Sequence, residues 1–161
     1  DEIDLIYKDT PNNTRPDDFA KFLYQCAKLD IKPPLNEAHI EYRKSKDGSL
    51  KASIQVHIDA YRRHGNGTID GMRQTHGTDP DRGLWVETEM WKRGCTHPFV
   101  ARCYVEEYKT NSPMWLKPFM MVSKCSEMLA HRRCGILTGT VGEGEVDDND
   151  FSFTPNFSAA I

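Results

Sequence analysis

Apolar side chains recur at three- and four-residue steps through Phe19, Phe22, Leu23, Cys26 and Leu29. That spacing predicts a helix with one buried face. Asp17-Asp18 stands at its start as a cap, and Pro33-Pro34 ends it. Upstream, Ile3 to Lys8 reads as a short helical piece that stops before Pro11-Asn12-Asn13. Downstream the period changes to two. Ala38 to Lys44 alternates, Lys46-Asp47-Gly48 turns the chain, and Leu50 to Ile54 returns, a hairpin signal. Val56 to His64 reads as a short helix stopped by Gly65.

Three further strands follow. The first is Thr68 to His76. In the second, Leu84 to Trp91, Leu84, Val86, Thr88 and Met90 share one face, while Trp85, Glu87, Glu89 and Trp91 share the other. The third, Phe99 to Glu106, follows a turn at Lys92-Arg93-Gly94 and Pro98. A loop through Pro113 leads into a helix over 118–134. Gly135, Gly139, Gly142 and Gly144 then break the chain. The order predicts an α+β domain, with an antiparallel β-hairpin and a three-stranded meander packed with a long helix. Residues 1–141 form the expected core, and residues 142–161 an acidic tail containing Phe151, Phe153 and Phe157.

With 161 residues the chain is long enough to bury a real core as one domain. No run approaches the ~18 apolar residues of a membrane span, and no charged-then-apolar opening suggests a secretory signal. Five cysteines without a CxxC pair read as free thiols, most of them buried, in a reducing cytoplasm. The net charge is −3, but it is unevenly spread. Residues 38–141 hold 16 bases and 11 acids, whereas residues 142–161 hold five acids and no Lys or Arg. A basic centre between acidic ends suits a polyanion groove, although an excess of this size is also ordinary.

The 118–134 helix is the most informative segment. A loop with an exposed-looking Trp115 and Lys117 runs into it at Pro118, and Trp115 reads equally as a residue that stacks on or wedges between bases and as a packed loop anchor. At 100° per residue, Met121, Val122, Cys125, Met128 and Leu129 fill one sector. Ser123, Lys124, Glu127 and His131 fill the opposite, polar sector. Arg132 falls inside the apolar sector. It either pairs with a core-edge carboxylate such as Asp59 or Glu106, or reaches a phosphate with its forked guanidinium. Lys51, Gln55, His57, Arg62 and Arg63 gather around the start of the shorter helix, whose free backbone N–H groups favour anions. Arg62 and Arg63 also read as solvated cations that complement the helix dipole.

Five stretches, in order, resemble the RecT/Bet (Redβ-like) family of phage recombination proteins. They are residues 19–33, residues 55–62 (Gln-Val-His-Ile-Asp-Ala-Tyr-Arg), Glu107-Tyr108, Pro113-Met114-Trp115, and residues 121–132 (Met-Val-Ser-Lys-Cys-Ser-Glu-Met-Leu-Ala-His-Arg). The resemblance implies an annealing-protein fold that binds single-stranded DNA without ATP and pairs complementary strands. It implies a homo-oligomer, ring or helical filament, working beside a phage exonuclease and host single-strand binding protein, with no cofactor, metal or catalytic residue. By matching position, Lys124 and Arg132 become backbone contacts, Trp115 and Lys117 groove-rim residues, and Arg62, Gln55 and Lys51 groove wall. His131 joins the candidate DNA-binding set from its place on the polar helix sector. Two departures stand out: Ala60 where the family has Gly, and Arg133-Cys134-Gly135 where it has an Ala-Phe pair. The family also carries a further C-terminal region that recruits partners.

This chemistry suits annealing. Lys and Arg on phosphates give sequence-independent, salt-sensitive affinity and leave base edges free to pair. The chain has no GxxxxGK[ST] motif. Two other classes stay open. A metal-dependent nuclease would draw on His64, His76, Asp79, Asp81, His97 and Asp59, which match no familiar ligand spacing. A protein-interaction module would bind no nucleic acid.

Overall fold

The structure, a computed structural model, describes residues 2–145. It is α+β, with two three-stranded sheets and a long helix. α1 (Glu2–Lys8) buries none of its side chains. α2 (Pro16–Lys28) buries Phe19, Phe22 and Cys26, the stripe that the spacing predicted, with Leu23 half-buried and Leu29 exposed. Its cap differs from the expectation. Arg15 is the N-cap and makes no side-chain cap bond, because Pro16 already supplies the helical φ at the first position. Asp17 and Asp18 sit inside the first turn, where their charge favours the dipole. Asp18 accepts from Arg15 Nε at 2.7 Å and from the Tyr42 hydroxyl at 2.8 Å.

β1 (Ala38–Lys44) and β2 (Leu50–Val56) form the expected hairpin, with Ala38 opposite Val56 and Lys44 opposite Leu50. α3 (Ile58–Gly65) follows at once. β3 (Ile69–Asp79), β4 (Gly83–Lys92) and β5 (Phe99–Tyr104) are the antiparallel meander. β4 alternates as predicted, with Val86, Thr88 and Met90 buried beneath the long helix. The third strand is shorter than expected, because Val105–Tyr108 turns helical as α4. Buried Val105 fixes that turn, and the Lys109 N–H closes it on the Val105 carbonyl at 2.8 Å.

α5 (Pro118–Arg133) lies across β4 and β5 and meets α3 on another side. Its end is a Schellman motif. The Ile136 N–H bonds the His131 carbonyl at 3.0 Å and the Gly135 N–H bonds the Arg132 carbonyl at 2.9 Å. Gly135 takes φ +87°, a conformation that favours glycine at this position. The chain then returns as β6 (Val141–Gly142), parallel to β2 and completing the first sheet. Of the five cysteines, Cys26, Cys103, Cys125 and Cys134 are buried and Cys95 is exposed, and all are free thiols. Burial pushes the thiols of Cys26, Cys103 and Cys134 up to about 11. Among the described residues no helix is long and apolar enough to cross a membrane.

Candidate nucleic-acid interface

α5 is covered on more sides than its sequence pattern implies. Met121, Val122, Cys125 and Met128 are buried as predicted, and Leu129 is half-buried. Glu127 and His131, expected in the polar sector facing water, are buried as well. The reason is α3, which packs against that sector. Gly65 approaches so closely that a Cβ there would stand 2.9 Å from His131 Cε1. His131 is 4% exposed, which corrects the expectation of a surface cation there.

The polar side chains on that seam pair with one another. Arg62 Nε and Nη2 donate to the two oxygens of Glu127 at 2.8 and 3.0 Å, a bidentate bridge. His131 Nε2 lies 3.8 Å from Glu127 Oε1. Burial alone would raise the Glu127 pKa. The nearby His131 imidazole and the hydrogen bonds from Arg62 more than offset it and hold the carboxyl below its ordinary value. Arg63, expected as a solvated helix-end cation, donates to Glu37 Oε1 at 2.5 Å and to Asp30 Oδ2 at 2.9 Å. Arg62 keeps an exposed flank, so the guanidinium reaches solvent from within its bridge.

Arg132 finds a carboxylate, but not Asp59 or Glu106. Its Nη2 donates to Glu145 Oε1 at 2.6 Å and its Nη1 to the Tyr61 hydroxyl at 3.0 Å. Burial works against the charged guanidinium. The Glu145 carboxylate and Tyr61 outweigh it and hold the pKa above the ordinary value. Lys124 Nζ lies 3.4 Å from Glu143 Oε2, and both side chains are partly open to solvent. Arg43 Nη1 donates to the backbone carbonyl of Glu145 at 2.8 Å.

The remaining candidates divide by exposure. Lys117 and Lys51 are exposed, the first at the start of α5 and the second opposite Arg43 on the hairpin. Trp115 is 4% exposed, which makes it the packed loop anchor and corrects the reading of an open rim residue. It lies in a 3-10 turn (Pro113–Leu116) before α5, and its indole is packed into the core. Neighbouring Leu116 is the exposed apolar residue of that loop. Gln55, expected in a groove wall, is 1% exposed and donates from Nε2 to Ser53 Oγ at 2.9 Å. With no open surface, Trp115 and Gln55 support neighbours in this conformation.

The sequence reading missed Glu143, Glu145 and Arg43 as parts of this site. Glu143 and Glu145 were grouped with an acidic tail. The available signal was Gly142 and Gly144 interleaved with them, glycines suited to a tight turn back onto the core. The rest of the tail, with Phe151, Phe153 and Phe157, lies outside the described residues. The nuclease donors fare differently. Among the described residues no three His, Cys, Asp or Glu side chains come together to hold a metal ion.

No protein-family model matches the chain, and no curated protein matches it either.

Proposed function

We propose that this protein binds single-stranded DNA and anneals complementary strands without ATP, in phage-type homologous recombination. It acts in the cytoplasm of a bacterial or phage-infected cell as a homo-oligomer, ring or helical filament, with an annealing-protein fold. The observation that carries the reading is on α5. Lys124 holds the Glu143 carboxylate oxygen at 3.4 Å with both side chains partly open to solvent, while Arg132, about 12 Å along the same rigid helix, is closed on Glu145 and fixes the segment that carries Glu143. A position that accepts a carboxylate oxygen in this geometry suits a phosphate oxygen as well. Exposed Lys117 and Lys51 and the open flank of Arg62 add cations without adding base-reading groups. The motif resemblance supplies the class of reaction.

Annealing of two dye-labelled complementary oligonucleotides, without nucleotide and at two salt concentrations, tests the proposal. The expected result is acceleration over spontaneous pairing that weakens with salt. Each phosphate neutralised on a single strand contributes a slope of about −0.7 in log affinity against log salt. Lys124→Glu lowers both binding and annealing while the fold survives. Normal annealing by a folded Lys124→Glu protein removes Lys124 from the site, and the absence of any oligonucleotide binding discards the annealing reading.

A further inference from the structure

The first acids of the C-terminal segment belong to the core. β6 runs parallel to β2, and beyond it the Glu143 N–H donates to the Val56 carbonyl at 2.8 Å. The chain then turns at Gly144, φ +80°, and the Glu145 N–H reaches the Gly142 carbonyl at 3.0 Å. Glu145 Oε2 accepts from the Gly142 N–H at 2.7 Å. This turn delivers two carboxylates to α5, Glu143 to Lys124 and Glu145 to Arg132. One strap therefore faces both of the helix cations assigned to DNA.

The two pairs differ in a way that decides what each can do. The side chains of Arg132 and Glu145 are 16% and 7% exposed and meet at 2.6 Å. Opening that pair leaves a charge unpaired in the interior, so it stays closed. Arg43 on the Glu145 carbonyl adds a second tether. Lys124 and Glu143 are 35% and 21% exposed and meet at 3.4 Å. A pair so open to water contributes little and exchanges readily. A phosphate oxygen offers the Lys124 ammonium the same kind of acceptor as the Glu143 carboxylate does.

We infer that the strap over 141–145 is an internal competitor for the nucleic-acid backbone. Glu145 anchors it, and Glu143 occupies Lys124 as a stand-in for phosphate until single-stranded DNA displaces it. The inference rests on the single-strand-binding reading of α5. Its consequence is a threshold. One isolated anion exchanges with Glu143 for little gain. A strand that spans several subunits presents many phosphates at high local concentration and wins at each Lys124 in turn.

The test uses the full chain, a dye-labelled oligothymidylate and fluorescence anisotropy at two salt concentrations. Four proteins are compared: wild type, Glu143→Gln, Lys124→Gln and the double variant. Glu143→Gln is expected to bind roughly two- to five-fold tighter, the factor by which a half-open ion pair competes. The gain disappears in the Lys124→Gln background, where no ammonium remains to be released. Wild-type binding with Glu143→Gln unchanged overturns the inference and leaves the DNA-binding reading intact. A gain that persists without Lys124 also overturns it, because net charge alone then accounts for the effect. Absence of binding by all four proteins overturns the DNA-binding reading, and the strap mechanism falls with it. Glu143→Ser, which removes the carboxylate differently, is expected to repeat the gain, and failure to do so counts against the competitor.

Discussion

Replacing Glu145 by Ala removes the carboxylate that offsets Arg132 and the acceptor for the Gly142 N–H. Arg132 keeps the Tyr61 hydroxyl at 3.0 Å and the Tyr61 ring at 5.8 Å, but neither carries a negative charge. Removing one partner of a buried pair costs about 3–5 kcal/mol. The exposed part of Arg132 recovers some hydration, which points to the lower end of that range. The orphaned Gly142 N–H adds about 1 kcal/mol. The expected loss is therefore about 4 kcal/mol, a large share of the ~5–15 kcal/mol that stabilises a typical domain. At ~2–4 °C per kcal/mol for a chain of this length, the melting midpoint falls by roughly 8–16 °C.

Urea denaturation followed by far-UV circular dichroism measures the loss, and a double-mutant cycle assigns it. Arg132→Met alone leaves Glu145 buried without its partner and is expected to cost a similar amount. The double variant, Arg132→Met with Glu145→Ala, removes both charges and is expected to cost less than the sum by about 2 kcal/mol or more. A Glu145→Ala protein within about 0.5 kcal/mol of wild type, or an additive cycle, refutes the reasoning. The strap would then have no anchor.

Two further changes test other parts of the fold. His39 Nδ1 lies 2.5 Å from His57 Nε2, and burial first, then the neighbouring imidazole, hold the His39 pKa below 6.5. Below about pH 6.5 the unfolded chain therefore binds more protons than the folded one, so stability is full above that value and declines as the pH falls through it. His39→Gln is expected to flatten the urea midpoint between about pH 7 and pH 5, and an unchanged slope sinks the assignment. Thr88 Oγ1 sits 2.7 Å from Ser126 Oγ in the seam between β4 and α5. Thr88 Oγ1 also accepts from Gln74 Nε2 at 3.0 Å, and without it Ser126 keeps its bond to the Ala101 carbonyl and Gln74 its bond to the Ser123 carbonyl. Thr88→Val is therefore expected to cost only about 1–2 kcal/mol by urea denaturation, and a loss above about 3 kcal/mol shows that the network is not shared as described.

The elements with a single buried face were legible in the sequence. α2 and β4 each have one packed side, so a period of 3.6 or 2 emerges directly, and the β1–β2 hairpin was marked by its turn at Lys46-Asp47-Gly48. α5 was legible in its limits and not in its surroundings. Its period marks the face toward β4 and β5, but contact with α3 buries the opposite side through Glu127, His131 and Arg62. Polar residues buried as mutual partners look like a wet surface in any hydropathy pattern. The two readings of Trp115 could not be separated for a related reason. An aromatic side chain in a short loop looks exposed until the cavity it fills is known. β6 carried almost no local signal, since Val141–Gly142 is defined by pairing with β2. The partners of Lys124 and Arg132 follow from that pairing, which is why charge counting assigned Glu143 and Glu145 to a tail.

The pairing pattern bears on how an annealer of net charge −3 would hold DNA at all. Arg62, Arg63, Lys124 and Arg132 each face a carboxylate within the chain, so one subunit offers few unoccupied cations at this site. On the annealing reading this is an advantage. A site that gripped several phosphates through unpaired cations would gain affinity at every contact and would hold each strand against rearrangement. Lys124, already satisfied by Glu143, exchanges one anion for another, which keeps the gain per subunit small. Useful occupancy must then come from many subunits along one strand, where each weak contact is intramolecular after the first. Two consequences separate this from a tight monomeric binder. Affinity should climb steeply with oligonucleotide length, and neutralising Glu143 should raise the affinity of long oligonucleotides proportionately more than that of short ones, because the gain recurs at every subunit contacted.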